Sequence, residues 1–254
     1  MQERVNSLKA AVTAGRAHIG IWCSLASALT TEIVAGSGTG WVLIDGEHSP
    51  NDLRSIMAQL QVIGGFDSEA VVRLPSDDAN LIKQAMDIGA RSLMIPNVRT
   101  AAQARAIVAA MTYAPGGIRG FSVGHRANAF GRIAGYHADA RVQQLLAVQI
   151  EDESGVANAA AIAAVDGVDV LFVGPGDLST NMGAMGNPNA PHVQEAIASV
   201  RKAAASAGKA SGILAPAKAD ADRYLADGFT MVAVGSDLGL LARGSDALIA
   251  SFRQ

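Results

Sequence analysis

Polar side chains follow several short apolar runs of this sequence, at the points where buried strands would end. The residues concerned are Asp45, Glu47 and His48 in the stretch WVLIDGEHSP, then Arg73, Gln149, Glu151 and Asp177. Because side chains alternate along a strand, Gln149 and Glu151 share one face of theirs. A buried carboxylate is costly unless it is paired or binds a metal. The pattern therefore predicts a polar site built where neighbouring strands end.

Glu151 and Asp177 could hold one divalent cation between them. Two carboxylates suit a hard ion such as Mg²⁺ or Mn²⁺, and they leave most of its coordination positions open to water and substrate. The chain has neither the Cys-x-x-Cys spacing nor the paired histidines that predict a zinc site. The two acids could instead form ordinary ion pairs, just as Arg73 could brace a nearby acid and His48 could be a capped histidine at a rim.

Eight short apolar runs alternate with helix-like segments along the chain, and such runs predict strands buried on both faces. They cover residues 18–25, 41–47, 70–74, 91–96, 145–151, 169–174, 210–214 and 229–235. Strict strand–helix alternation predicts one domain, residues 1–254, that folds as a (β/α)8 TIM barrel with a last helix at about 237–252. A doubly wound open sheet is the alternative, but its G-x-G-x-x-G loop is missing after the first run.

In such a barrel the carboxyl ends of the strands form the active end, and the polar residues named above fall there. Ser49, Pro50 and Asp52 predict a helix directly after the second strand, with the serine as N-cap and the proline at the first helical position. The longest irregular segment is 113–140, which carries four arginine or histidine side chains between 119 and 132. We interpret it as a lid or a subunit contact, with a solvated loop as the alternative.

The composition excludes several classes of function. The net charge of −3 and the 4% of aromatic residues argue against nucleic-acid and anionic-membrane partners. One cysteine cannot form an internal disulfide. No window of about 18 uninterrupted apolar residues predicts a membrane span, and the first residues lack the apolar core of a signal peptide. We therefore expect a soluble, cytoplasmic protein.

Six motifs follow one another over nearly the whole chain: LIDGEHSP, VVRL, MIPNVRTAAQA, VQIED, VGPGDLS with MGNP, and VAVGSDLGLLARG. Together they closely resemble the HpcH/HpaI family of class II, metal-dependent pyruvate aldolases. Its best-known activities cleave 4-hydroxy-2-oxoheptane-1,7-dioate and 2-dehydro-3-deoxyglucarate. The combination of DGEH, QIE and GPxDLS is specific, whereas each alone would be weak. The resemblance implies a phosphoenolpyruvate/pyruvate-type TIM barrel with an additional C-terminal helix.

The resemblance also implies catalytic and metal-binding roles. Glu151 and Asp177 match the ligands of a divalent cation, Mg²⁺, Mn²⁺ or Co²⁺. His48 matches the acid/base histidine, and Arg73 matches the arginine that contacts the substrate and stabilises the enolate oxygen. Asp87, in QAMDIGA, matches a helix carboxylate that raises the basicity of that histidine.

The substrate-binding positions follow in the same way. Gln149 and the backbone around Gly176, next to Asp177, match the positions that contact the pyruvate portion. Many family members have alanine where this chain has Gly176. Apart from the resemblance, we interpret Asp45 and Glu47, at the end of the second apolar run, as groups that hold water on the metal and orient the site.

The implied reaction is the reversible cleavage of 4-hydroxy-2-oxo acids to pyruvate, or hydroxypyruvate, and an aldehyde through a metal-stabilised enolate. The 2-oxo acid and aldehyde are the implied partners, and the implied assembly is a homohexamer, a trimer of dimers with exchanged C-terminal helices. A lysine Schiff base is disfavoured, because none of the five lysines lies at the carboxyl end of a predicted strand. One alternative is a lyase of the citrate-lyase β-subunit type, acting on an acyl-CoA thioester. A ligand-binding barrel without turnover is the other.

Overall fold

In the computed structural model, eight parallel strands close into one barrel, with β1 to β8 in chain order. The structure describes residues 5–253. The strands are β1 (His18–Cys23), β2 (Trp41–Asp45), β3 (Glu69–Arg73), β4 (Ser92–Ile95), β5 (Leu145–Ile150), β6 (Val170–Val173), β7 (Ala210–Leu214) and β8 (Met231–Ser236). β8 pairs with β1, which completes the ring. The closed sheet confirms the predicted (β/α)8 barrel and excludes the open sheet.

Helices connect the strands and surround the barrel. They are α1 (Ser7–Thr13), α2 (Ala28–Ala35), α3 (Leu53–Ile63), α4 (Ala79–Asp87), α5 (Ala101–Met111), α6 (Tyr136–Asp139), α7 (Glu153–Ala157), α8 (Ala159–Ala163), α9 (Pro175–Asn181), α10 (Pro191–Ser206), α11 (Lys218–Ala226) and α12 (Asp237–Ala250). Two 3-10 turns cover Arg126–Asn128 and Ala140–Gln143. α12 confirms the predicted last helix. Within residues 5–253, none of these helices has the length and apolar character needed to cross a membrane.

The alternation of side chains along the strands sets what faces the barrel interior. Trp41 and Leu43 belong to the buried cluster inside the barrel, whereas Ile44 packs in the cluster between strands and helices. Asp45 has the parity of Trp41 and Leu43, so it points inward at the carboxyl end of β2. The register of β2 and β3 pairs Asp45 with Arg73. The two polar residues therefore meet at the mouth of the barrel.

Helix α1 closes the opposite, amino end of the barrel. Leu8 is fully buried in the inner cluster. The backbone N–H of Ser7 donates to Oε1 of Glu69 at 3.0 Å, and Nη2 of Arg91 lies 2.8 Å from Oε2 of the same carboxylate. Because this end is plugged, the carboxyl end is the open one.

The turn after β2 differs from its predicted form. α3 begins at Leu53, and its N-cap is Asp52, whose side chain accepts from the backbone N–H of Ser55 at 2.8 Å in a capping box. Ser49, the predicted N-cap, instead donates its hydroxyl to the carbonyl of Asp45. The predicted helix start was therefore wrong, because the serine is used to close the loop that leaves the strand.

The irregular segment 113–140 lies at the amino end of the barrel. It follows α5 and leads into β5, so it connects element ends that are remote from the mouth. Nη1 of Arg126 donates to the carbonyl of Ile88, just past the end of α4, at 2.8 Å. This position excludes a lid over the mouth of the same chain, and the subunit contact stays a prediction.

Gly20 lies where β1 passes the indole ring of Trp41. A Cβ atom at this position would overlap the ring. The ring is fully buried, and its Nε1 donates to the carbonyl of His18 at 3.1 Å, so neighbouring groups hold it in place. Glycine is therefore required here for the close approach of backbone and indole.

Gly20→Ala should lower the free energy of unfolding by about 1–3 kcal/mol, because overpacking a filled core forces its side chains out of place. Gly244→Ala is the matched control. A Cβ at Gly244 meets nothing within 4 Å, and alanine favours the exposed helix by about 1 kcal/mol. Denaturant unfolding of both variants and the wild type measures the difference. Equal stability of Gly20→Ala and wild type would show that the ring moves aside without cost.

Candidate active site

Arg73 lies at the centre of the mouth, between two carboxylates. Its Nε donates to Oδ1 of Asp45 at 2.9 Å, and its Nη2 lies 2.8 Å from Oδ2. Its Nη1 lies 2.7 Å from Oε2 of Glu47. The guanidinium also lies over the indole of Trp22, with Cζ 4.4 Å from the ring centroid. These contacts hold the buried arginine head group in one orientation.

The two carboxylates that flank Arg73 titrate differently. Burial alone would raise the pKa of Asp45, but the hydrogen bonds and the charge of Arg73 outweigh burial and hold that pKa below its usual range. Burial raises the pKa of Glu47, against the attraction of Arg73. The backbone N–H groups of Glu47 and His48 donate to Oδ1 of Asp45 at 3.0 and 3.3 Å. Asp45 is therefore the ionised anchor of the arginine, and it also shapes the loop that carries His48.

Glu151 follows β5 directly and is only 3% exposed. Its Oε1 accepts from Nε2 of Gln149 at 2.7 Å, so the two side chains share a face as the alternation predicts. Its Oε2 accepts from the backbone N–H of Asn97 at 3.0 Å. Burial raises the pKa of Glu151 to about 7; the hydrogen bond from Asn97 opposes this shift, and the charges of Glu47 and Asp177 add to it.

The end of β5 is tied to the start of α9. Gly174 makes the approach possible, because a Cβ atom there would overlap the Glu151 carboxylate. Nδ2 of Asn181 donates to the carbonyl of Glu151 at 3.1 Å and to the carbonyl of Asp177 at 3.0 Å. These contacts place Asp177, which is exposed in the first turn of α9, beside the buried Glu151.

His48 and Gly176 lie at the rim of the same mouth. The side chain of His48 is 66% exposed, and its Nε2 lies 3.9 Å from Oε2 of Glu47. A Cβ atom at Gly176 would meet nothing within 4 Å, so the backbone next to Asp177 is open to a ligand.

The donor set of the mouth fits a hard divalent cation. Asp45 and Glu47 pair with the Arg73 guanidinium. Glu151 lies close enough to Glu47 and Asp177 to be repelled by their charges. Burial raises the pKa of Glu151, the charges of Glu47 and Asp177 add to this shift, and a bound cation would relieve their repulsion. Within residues 5–253, Oε1 of Gln149 is buried without a hydrogen-bond partner. In the same range no three histidine, cysteine or acidic side chains converge on one point. A cation held by two carboxylates would therefore keep positions for a ligand.

Asp87 lies far from this cluster. It ends α4 at the amino end of the barrel, where its Oδ1 is 2.7 Å from Nη2 of Arg119 and 3.9 Å from Nε2 of His125. In the described part of the chain no hydrogen bond or ion pair joins Asp87 to His48. Within one chain the predicted action of Asp87 on His48 has no structural counterpart, because the two residues lie at opposite ends of the barrel.

The sequence pattern does not single out Trp22 or Asn97, although both shape the site. Trp22 could be found from parity, since it is the last large side chain of β1 that faces the interior. Asn97 acts through its backbone N–H, which no side-chain pattern reveals. Its φ of 55° is left-handed, a conformation that asparagine tolerates better than most residues.

Residues 18–244 match the family model described as HpcH/HpaI aldolase/citrate lyase. The chain is similar to a 4-hydroxy-2-oxovalerate aldolase of Rhodococcus jostii (strain RHA1), with 48% identity over 255 residues, 100% of this chain and 98% of that protein. It is also similar to a 5-keto-4-deoxy-D-glucarate aldolase of Klebsiella pneumoniae, with 45% identity over 249 residues, 98% of this chain and 97% of that protein.

Solved structures agree with these relatives. An HpcH/HpaI aldolase/citrate lyase family protein from Burkholderia cenocepacia J2315 superposes with a TM-score of 0.95 and 37% identity, over 98% of this chain and 100% of that one. A citrate lyase β subunit from M. tuberculosis reaches a TM-score of 0.59 at 15% identity, over 89% of this chain and 92% of that one. The second likeness is one of fold alone.

The raised pKa of Glu151 predicts that the metal-free protein loses stability as the pH rises. A Glu has a pKa near 4.5 when unfolded, and Glu151 one of about 7 when folded. The folded state therefore binds the extra proton, and the stabilisation present below about pH 4.5 is lost as the pH approaches 7, by at most about 3 kcal/mol.

Glu151→Gln should flatten this part of the stability profile, whereas Glu153→Gln, exposed on α7, should retain it. Denaturant unfolding in the presence of a chelator between pH 4.5 and 8 measures both variants. An unchanged slope in Glu151→Gln would contradict the assignment of the proton to Glu151.

Proposed function

Because the chain belongs to the HpcH/HpaI aldolase/citrate lyase family, we propose that it is a metal-dependent aldolase for 4-hydroxy-2-oxo acids. Its family makes it a carbon–carbon lyase. The proposed products are pyruvate, or hydroxypyruvate, and an aldehyde. The observation that carries this proposal is the buried Arg73, held by Asp45 and Glu47 within the same mouth as the buried Glu151.

Glu151 and Asp177 are the residues that would hold the cation, as Mg²⁺, Mn²⁺ or Co²⁺. A bound divalent cation acts as a Lewis acid that draws electron density from the ketone of the 2-oxo acid. The open backbone at Gly176 supports this position as a contact of the pyruvate portion. The unpartnered Oε1 of Gln149 is an acceptor that would suit the cation or a water on it, and its contact with pyruvate stays a prediction. The N–H groups that begin a helix suit a carboxylate or a carbonyl oxygen.

Arg73 stabilises the negative charge that forms on the C2 oxygen when the C3–C4 bond breaks. Its ion pairs with Asp45 and Glu47 fix the guanidinium before the reaction, so little reorganisation is needed as charge develops. Trp22 covers one face of the guanidinium and restricts its contact with water. A fixed positive charge in a partly dry site stabilises an oxyanion more than the same charge in water does.

His48 takes the proton from the C4 hydroxyl as the C3–C4 bond breaks, and it returns a proton in the reverse direction. Its position at the rim leaves the ring free to meet the aldehyde half of the substrate. Glu47, at 3.9 Å, supports the positive charge of the protonated ring. The prediction for Asp87 requires a neighbouring subunit that brings this carboxylate to the rim, and it stays a prediction.

The lysines support a cation-dependent route over a Schiff base. Lys9, Lys83 and Lys202 lie on α1, α4 and α10. Lys209 precedes β7, and Lys218 is exposed on α11, where its Nζ lies 2.6 Å from Asp222. These positions leave no lysine amine among the mouth residues described above, so an imine with the substrate ketone has no nucleophile there.

We also propose a homohexamer with exchanged C-terminal helices, located in the cytoplasm. A subunit contact on α12 is supported by exposed apolar side chains on this helix and just after its end. Leu241 and Leu248 are each 61% exposed, and Phe252 is 79% exposed. A helix with such a face is normally covered by another surface.

Removal of divalent cations should abolish aldol cleavage. Complete chelation is expected to lower the rate at least about 1,000-fold, since the ketone then loses its electrophilic partner, and Mg²⁺, Mn²⁺ or Co²⁺ should restore it. Pyruvate released from a 4-hydroxy-2-oxo acid is measured through its reduction by a coupled reductase. A parallel assay adds an acyl-CoA thioester as a competing substrate. Full activity without metal would refute the cation-dependent reaction, and preference for the thioester would favour the citrate-lyase type.

Arg73→Lys should lower kcat about 100- to 1,000-fold for both aldol cleavage and the exchange of pyruvate methyl protons with solvent. A lysine keeps the charge but loses the forked contacts that fix the donor, a loss of about 2.7–4 kcal/mol in transition-state stabilisation. Circular dichroism and thermal unfolding establish that the variant is folded. Wild-type rates of both reactions in a folded variant would mean that Arg73 does not stabilise the enolate.

A further inference from the structure

A small cavity of about 140 Å³ opens on the side of the mouth away from the carboxylates. It lies between the carboxyl ends of β1, β7 and β8 and the first turns of α12. Its lining includes Trp22, Ser24, Leu214, Gly235, Ser236 and Arg243. This volume holds a group of a few heavy atoms, because a liquid water occupies about 30 Å³.

The polar side chains of this cavity can all donate hydrogen bonds, and in the part of the chain that the structure describes no carboxylate lines it. Within residues 5–253, Arg243 has no hydrogen-bond or ion-pair partner. Arg243 is exposed on α12, yet its guanidinium turns back towards the start of the helix. A Cβ atom added at Gly239 would lie 2.8 and 2.9 Å from its two Nη atoms and 3.1 Å from Oγ of Ser236. The guanidinium and the hydroxyl therefore flank one spot at the cavity.

Asp237 is an acidic residue next to the cavity, and its carboxylate already accepts several hydrogen bonds. Its carboxylate accepts from the backbone N–H groups of Ser24 at 2.8 Å, Leu25 at 3.3 Å and Leu238 at 2.7 Å. It also accepts from the hydroxyl of Thr30 at 3.0 Å. These bonds turn Asp237 towards the loop after β1 and fix that wall of the cavity. They leave Arg243 free to bind an anion.

Trp22 connects this cavity to the reacting centre. One part of the residue lines the cavity, and its indole also carries the Arg73 guanidinium, with Cζ at 4.4 Å from the ring centroid. A substrate whose C2 oxygen contacts Arg73 therefore needs to extend only past one indole to reach Arg243. The opposite half of the mouth carries Glu47, Glu151 and Asp177, which would repel an anionic tail.

We propose that Arg243 is a specificity-determining residue that binds a carboxylate at the far end of the aldehyde half of the substrate. This assignment rests on the proposed aldolase function. A guanidinium binds a carboxylate through two parallel hydrogen bonds, and the hydroxyl of Ser236 can add a third. The preferred acceptors are then short aldehydes with a terminal carboxylate, over uncharged aldehydes of the same length.

The test compares succinic semialdehyde with butanal, its uncharged four-carbon counterpart, as acceptors for pyruvate. In Arg243→Gln the ratio of kcat/KM values, carboxylated over neutral, should fall about 10-fold or more, as expected for the loss of a charge-assisted contact at a partly solvated site. Arg243→Lys should give an intermediate ratio, because the charge remains but the forked contact is lost. Arg105→Gln, which removes an exposed charge from α5, is the matched control and should leave the ratio unchanged.

A ratio in Arg243→Gln equal to that of wild type, or a fall of the same size in Arg105→Gln, would overturn the assignment. A wild type that adds neither aldehyde to pyruvate or to hydroxypyruvate would instead count against the proposed function. The assignment is then decided by calorimetric titration of the metal-loaded, pyruvate-saturated protein with succinate. Binding about 10-fold weaker in Arg243→Gln supports it, and equal binding overturns it.

Discussion

The burial of one guanidinium between two carboxylates is the interaction on which the mouth of this barrel depends. Arg73 is 3% exposed and Asp45 is 2% exposed, so each would be costly to bury alone. The parallel register of β2 and β3 sets their Cα atoms side by side, and both head groups then meet with little freedom. Removing Arg73 would leave the buried Asp45 carboxylate without its cationic partner, a change that typically costs about 3–5 kcal/mol. The ion pair is therefore part of the fold as well as of the site.

The same pair organises what lies around it. Asp45 accepts backbone N–H groups from Glu47 and His48, so the loop after β2 is shaped by a carboxylate whose own position Arg73 fixes. Within residues 5–253, Glu151 has no cationic partner at hydrogen-bond distance and is held by a side-chain amide and a backbone N–H. Burial raises the pKa of this carboxyl, whereas the hydrogen bonds and charge of Arg73 outweigh burial at Asp45. Asp45 and Glu47 are paired with Arg73 within the chain. Glu151 and Asp177 would be stabilised by a bound divalent cation.

Much of this arrangement could be predicted from the sequence, because it depends on strand parity and topology. Eight apolar runs with helices between them are enough for the closed barrel, and alternation places Gln149 beside Glu151. Contacts made through backbone groups, and contacts between residues far apart in the sequence, could not be predicted from the sequence. Asn97 donates a main-chain N–H from a left-handed residue, and Ser49 bonds a carbonyl instead of capping a helix. Such bonds depend on loop conformation, which residue spacing does not determine.

Topology also explains where two of the residues or segments singled out in the sequence lie. Asp87 is on a helix that runs away from the mouth, and segment 113–140 connects a helix end to a strand start. In a (β/α)8 barrel both places lie at the amino end, whereas chemistry lies at the carboxyl end. Any part that either takes in catalysis must therefore involve a second subunit. The mouth of a single chain is divided by charge instead, with carboxylates after β2, β5 and β6 and donors near β1, β8 and α12. An aldol reaction joins two fragments of unlike chemistry, and a mouth divided in this way gives each fragment a different surface.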